Sequence, residues 1–181
     1  MINPALLSSK MDNWETPQAF FDRLDQIFSF QLDAAAADYN AKCGIYFDID
    51  ANGLDQDWSP YKRIWLNPPY GRGIERWMRK AYEESQRGSI VVCLVSARTD
   101  TQWWHDWVKD KALVTFVRRR LKFKNPQVCP DGKGNSVFPS ALVIYGLDFD
   151  RILNFGPDAY LGRSGGGRPA SAAATTKNAS L

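Results

Sequence analysis

The segment Ile64-Trp65-Leu66-Asn67-Pro68-Pro69-Tyr70-Gly71 limits what this chain can fold into more than any other. An apolar run stops at two consecutive prolines. Each proline fixes φ at about −65° and removes a backbone N–H donor. A helix is excluded there, and a central strand cannot continue through the pair. The segment therefore predicts a strand that ends in a rigid corner. Beyond the sheet edge, that corner presents an amide side chain, unpaired carbonyls and an aromatic ring. Such a surface suits a flat, hydrogen-bonding ligand better than a core. A Pro-rich turn that merely caps a strand is the plainer alternative.

The rest of the chain has to supply the sheet. Its 181 residues, 44% hydrophobic and 24% charged, suffice for one globular domain with a core of its own. No apolar run approaches the length of a membrane span. Met1-Ile2-Asn3-Pro4 lacks the basic-then-apolar pattern of a secretory signal. Cys43, Cys93 and Cys129 are odd in number and far apart, which points to a reducing, cytoplasmic setting. The single His105 has no ligand partners at close spacing, so no metal site is expected. A net charge of +3 is compatible with nucleic acid without requiring it.

In chain order, residues 1–13 show no periodicity and read as a flexible arm. Thr16 is a good N-cap and Pro17 suits a first helical position. Phe20, Phe21, Leu24, Ile27 and Phe28 then share one helical face, so a helix is predicted over 17–28. Phe30 to Asp33 alternates briefly and reads as a short strand ending at an acid. Ala34 to Ala37 is either a loop thin enough to let a ligand reach the backbone or an ordinary helix start. A second strand is predicted over Gly44 to Asp48. A run of acids and turn formers follows: Asp48, Asp50, Asn52-Gly53, Asp55 and Asp57-Trp58. Acids at strand ends of doubly wound sheets often contact ribose hydroxyls or an adenine amino group. A solvated loop is the other reading.

Past the Pro-Pro corner, Ile74, Trp77, Met78, Ala81 and Tyr82 define a helix face running to about residue 87, where Gly88 ends it. Ser89 to Val95 is almost continuously apolar, as in a strand buried on both faces of a parallel sheet. Ser96 to Asp100 leaves its carboxyl end. A helix is predicted over 101–109 and a strand over Ala112 to Val117. Arg118 to Lys124 is basic with Phe123 inside it, and residues 125–135 read as a loop. Val137 to Tyr145 reads as a strand that Pro139 assigns to an edge or bulge. Residues 157–181 read as a Gly/Ser/Ala-rich tail. The predicted fold is α/β: a single Rossmann-like domain over 14–156, its sheet mostly parallel with an antiparallel hairpin at the end. Asp33, the acidic run, Asn67 to Tyr70 and Ser96 to Asp100 all fall at strand ends, where such sheets bind ligands.

With these segments placed, the chain resembles the phage-type DNA adenine-N6 methyltransferases over Trp14 to about Tyr145. The matching elements are Thr16-Pro17, Leu32 to Ala36, Gly53-Leu54 with Asp57-Trp58, Asn67 to Gly71, Arg98 to Thr101 with Trp103 or Trp104, and Arg120 to Phe123. Their order along the chain carries more weight than any one of them. Many S-adenosylmethionine enzymes place a Gly-rich loop after the first strand. Here that position holds Ala34 to Ala37, as in this family's own version.

The resemblance implies transfer of a methyl group from S-adenosylmethionine to the exocyclic amino group of an adenine flipped out of duplex DNA. It assigns catalysis to Asn67, Pro68, Pro69 and Tyr70, with Asn67 and the Pro68 carbonyl accepting the amino hydrogens. Tyr70 is expected to stack on the base, with Phe123 on its other face. Arg72, Arg98, Arg120 and Lys122 are expected on the DNA. The cofactor site is expected to draw on Trp14, Thr16, Pro17, Asp33, Ala34, Ala35, Leu54 and one or both of Asp50 and Asp55. Cytosine-N4 methylation and a catalytically silent DNA-binding module of the same fold are the alternatives.

Overall fold

The computed structural model describes residues 15–123 and 138–147. The expected arm, Trp14, the 125–135 loop and the Gly/Ser/Ala-rich tail lie outside the described residues, as does Cys129. Helix α1 (Gln18–Phe28) comes first, then β1 (Leu32–Asp33), β2 (Arg63–Leu66), α2 (Ile74–Gln86), β3 (Ile90–Ser96), α3 (Gln102–Trp107), β4 (Leu113–Phe116) and β5 (Ser140–Tyr145). The strands form one sheet in the order β1-β2-β3-β5-β4. β1, β2 and β3 pair in parallel, whereas β5 runs antiparallel to both its neighbours.

Alternation along the strands sorts the core into two layers. Val91, Cys93 and Val95 of β3 join Ile64, Leu66, Val143 and Tyr145 under α2 and α3. Val92 and Leu94 face the opposite way, with Trp65, Leu142 and Ile144, against Phe21, Leu24 and Phe28 of α1. A strand covered on both faces has no polar side to show, which is why β3 reads as a continuous apolar run. The sheet is thus sandwiched between helices. Its three parallel strands all direct their carboxyl ends, Asp33, Leu66 and Ser96, to one edge.

Three expectations need correcting. The Val137–Tyr145 segment is not an edge strand: β5 lies between β3 and β4 and every residue of it is buried. Pro139 stands just before the strand, where its missing N–H costs no ladder bond, and its carbonyl accepts the Ala97 N–H at 2.8 Å. The predicted strand over 44–48 is reduced to an isolated parallel bridge between Tyr46 and Asp33. β1 is only two residues long, so it offers that segment a partner at one position alone. Finally, Thr16 does not cap α1. Pro17 occupies the N-cap with no side-chain cap bond, and its carbonyl accepts the N–H groups of Phe20 and Phe21.

Candidate active site

At the carboxyl end of β2 the corner forms as its prolines require. Pro68 is buried and Pro69 half-buried. The Pro69 carbonyl accepts Gly71 N–H at 3.1 Å, and the Gly71 carbonyl accepts Ile74 N–H at 3.2 Å. Two short turns therefore lead the chain from the strand straight into α2. Among the described residues, the Pro68 carbonyl accepts no hydrogen bond. The Tyr70 hydroxyl donates to the Leu94 carbonyl at 3.3 Å, and burial pushes its pKa upward. The Tyr70 ring meets Phe123 edge to face, centroids 6.3 Å apart and planes at 88°.

A cavity of about 510 Å³ opens beside the corner, within the usual range for small-molecule sites. Asn67 and Pro69 form part of its wall. Thr16, Asp33, Ala35 and Leu54 line it as well, so four expected cofactor residues from three separate segments meet there. Asp33 is 2% exposed and stands at the end of β1. Its carboxylate accepts the backbone N–H of Lys42 at 3.0 Å and of Ala35 at 3.4 Å. Burial nonetheless pushes its pKa up to about 6, with those two N–H groups and the Lys42 charge pulling the other way.

The floor of the cavity depends on Gly53. A Cβ there would lie 2.1 Å from the Ala34 carbonyl oxygen and 3.2 Å from Cη2 of Trp77. The Gly53 carbonyl is held by the buried Trp58 indole N–H at 2.8 Å. Ala34 itself is fully buried, and it supports the cavity through its backbone rather than lining it. Pro17 also lies behind the wall, at the helix start.

The acids expected on ribose or adenine are not at the cavity. Asp50 and Asp55 are both exposed, and Asp55 accepts a bond from the Asn52 side chain. Asp48 lines the cavity instead, its carboxylate accepting the Ala51 N–H at 2.8 Å. The Tyr46 bridge explains the difference. It fixes the chain beside Asp33 and delivers the second residue beyond it to the cavity, whereas the later acids fall on the outward turn. A strand-end count from Tyr46 would have found Asp48. Glu15, Lys42, Asn52, Arg76 and Trp77 also line the cavity, and local sequence patterning does not single them out for it.

On the expected DNA side, Arg72, Arg98, Arg120 and Lys122 are exposed and none lines the cavity. The Arg98 guanidinium sits 5.1 Å from the Phe138 ring centroid. Phe123 differs from expectation. It is 1% exposed and packs into the α1 face of the core. With its ring edge to face against Tyr70, no gap remains between the two for a base. Its alternation with basic neighbours reflects a strand-exit segment whose charged residues face water while the aromatic anchors it. Among the described residues, no group of three His, Cys, Asp or Glu side chains is placed to hold a metal, and no helix is long and apolar enough to cross a membrane.

Helices on both faces of a mostly parallel sheet, with a pocket and an Asn-Pro-Pro-Tyr corner at its carboxyl edge, define a Rossmann-like methyltransferase domain. Comparison with known proteins narrows the class. The family model described as DNA N-6-adenine-methyltransferase (Dam) matches residues 4–148, and the chain belongs to that family. The DNA N-6-adenine-methyltransferase of Haemophilus phage HP1 is 28% identical over 140 residues, 76% of this chain and 80% of the relative. The protein of the same description from Escherichia phage T1 is 29% identical over 111 residues, 61% of this chain but only 46% of the relative's length. A putative methyltransferase of Escherichia coli K12 is 36% identical over 67 residues, 33% of this chain and 71% of the relative.

Proposed function

We propose that this protein methylates the N6 amino group of adenine in double-stranded DNA, using S-adenosylmethionine, in the cytoplasm of a bacterial host. The observation that carries the reading is the shared wall: Asn67 and Pro69 of the corner line the same cavity as Thr16, Asp33, Ala35 and Leu54. The residues present fit the cofactor. The Thr16 hydroxyl is buried with no hydrogen-bond partner, a cost that a polar ligand removes. The cavity carries carboxylates on three segments, Glu15, Asp33 and Asp48, for a molecule that bears both an ammonium group and a ribose diol. Once bound, S-adenosylmethionine supplies a methyl group already activated by its sulfonium.

The protein's own task is alignment, because the adenine amino nitrogen is a weak nucleophile whose lone pair is conjugated into the ring. The Asn67 Oδ1 and the Pro68 carbonyl accept its two hydrogens. This favours a pyramidal nitrogen and stabilises the positive charge that develops on it. The rigidity of the Pro-Pro corner keeps the two acceptors in place without reorganisation. Tyr70 stacks on the flipped base, and Phe123 braces the Tyr70 ring from the core instead of sandwiching the base. Arg72, Arg98, Arg120 and Lys122 contact phosphates. The decisive experiment incubates the protein with unmethylated DNA and labelled cofactor, then identifies the modified nucleoside. N6-methyladenine is expected. Label in N4-methylcytosine, or in protein alone, overturns the assignment.

A further inference from the structure

Lys42 combines three properties rarely found together in a surface lysine. Its side chain is only 5% exposed, it lines the cavity, and its ammonium has an ill-matched partner. Among the described residues its ion-pair partner is Glu15, whose Oε1 is 3.8 Å away, too long for a hydrogen bond, while Gln18 Oε1 accepts from Nζ at 2.9 Å. A cation taken out of water needs close anionic compensation. Glu15 and Gln18 supply it only in part. On the same wall stands Thr16, 2% exposed, whose hydroxyl has no partner. Asp33 lies at this end too, joined to Lys42 through the Lys42 backbone N–H. One end of the cavity therefore holds a buried cation, an unused hydroxyl donor and a buried carboxylate. That set is complementary to a zwitterionic α-amino acid.

We infer that Lys42, with the Thr16 hydroxyl beside it, anchors the carboxylate of the cofactor's amino-acid end, while Asp33 takes the ammonium. The inference rests on the reading of the cavity as an S-adenosylmethionine site and assigns the specificity within it. Lys42 is a positioning residue: it holds the end of the cofactor remote from the reacting methyl group. The pairing also explains why a lysine is buried beside the loop of four alanines. Those small side chains admit the amino-acid end but offer no charge of their own.

The test is calorimetric binding of S-adenosylmethionine and of decarboxylated S-adenosylmethionine, which keeps the sulfonium and ammonium and lacks only the carboxylate. The wild-type protein is expected to prefer the complete cofactor by roughly tenfold or more, the scale of a charge-assisted hydrogen bond. Lys42→Met should bring that ratio close to one, with affinity for the decarboxylated compound almost unchanged, and Lys42→Arg should restore part of it. Equal loss of both ligands in Lys42→Met, or an undiminished ratio, overturns the inference and leaves Lys42 a structural tie to Glu15. If the wild-type protein binds neither compound, the cofactor reading itself falls, and this assignment with it. Glu15→Gln provides a second route that keeps the lysine. Releasing the ammonium from its competing acid should tighten the complete cofactor and not the decarboxylated one; a loss for both contradicts the assignment.

Discussion

Asn67 and Asp33 illustrate how a side chain's chemistry is set by where its strand ends. Asn67 stands one residue beyond β2, at the wall of the cavity and next to a carbonyl that Pro68 cannot move. Asn67→Ala is expected to lower the single-turnover methylation rate by at least about 10²-fold, in line with loss of one preorganised polar group. Its dissociation constant for S-adenosylmethionine should stay within about threefold, as calorimetry would show. A parallel loss of cofactor binding would mean the corner holds the cofactor rather than the base. Asp33 carries the pH dependence. Its pKa is raised to about 6 by burial, so the carboxyl is protonated below that pH in the free protein. The Lys42 charge beside it pulls the other way without cancelling the burial, and burial holds the Cys43 thiol neutral with its pKa pushed up to about 12. A proton and a ligand ammonium compete for the same carboxylate. Cofactor affinity should therefore be level above pH 6 and weaken by about tenfold per unit as pH falls below it. Titration calorimetry from pH 5 to pH 8 checks the slope, and Asp33→Asn should flatten it.

At the scale of elements, the site depends on backbone approaches as much as on side chains. The turn carrying Gly53 comes so close to the Ala34 carbonyl that a methyl group cannot be placed between them. Both atoms belong to backbone, and one is fixed by β1, so neither yields cheaply. Gly53→Ala is expected to lower the thermal midpoint by several degrees, consistent with a strain of about 1–3 kcal/mol, and to weaken cofactor binding more than Asn67→Ala does. Differential scanning calorimetry with and without cofactor separates the two effects. Helix α1 acts from the other side of the sheet. Phe21 is 3% exposed and meets Trp65 edge to face at 5.5 Å, and Trp65 itself lines the cavity. Phe21→Ala should cost about 3–5 kcal/mol in chemical denaturation, because the space it leaves cannot be filled from a strand buried on both faces. The elements themselves are largely legible in the sequence. Apolar periodicity locates α1, α2 and β3 within a residue or two, and Gly88, at φ +93°, ends α2 where a glycine is needed. The 44–48 strand and the Thr16 cap fail because local preference alone suggests them, whereas β1 is too short to pair further and Thr16 is drawn into the cavity wall.

At the scale of the molecule, an exposed basic segment stands apart from the cavity. The carboxylates Glu15, Asp33 and Asp48 line the cavity, while Arg118, Arg119, Arg120 and Lys122 are exposed where the chain leaves β4. Arg120→Gln with Lys122→Gln should weaken binding to all duplex sequences alike. The slope of log affinity against log salt should become shallower by about 1.8, two phosphate contacts at about 0.9 each. Fluorescence anisotropy at several salt concentrations measures it. An unchanged slope would return the segment to a solvated strand exit.

The sequence by itself determined the Asn-Pro-Pro-Tyr corner and its place in the sheet. Proline geometry alone ends β2 at Leu66, just before Asn67, and apolar periodicity makes the sheet α/β, so the corner had to lie at a carboxyl edge. Only the tertiary structure decided which acids reach the cavity, that Lys42 and Glu15 join it, and that Phe123 turns into the core. Those outcomes depend on a single bridge between Tyr46 and Asp33, on the insertion of β5 beside β3, and on the Gly53 turn meeting Ala34. Each is a contact between segments well separated along the chain. Local preference and periodicity describe a residue and its near neighbours, and such contacts are settled only when the layers pack.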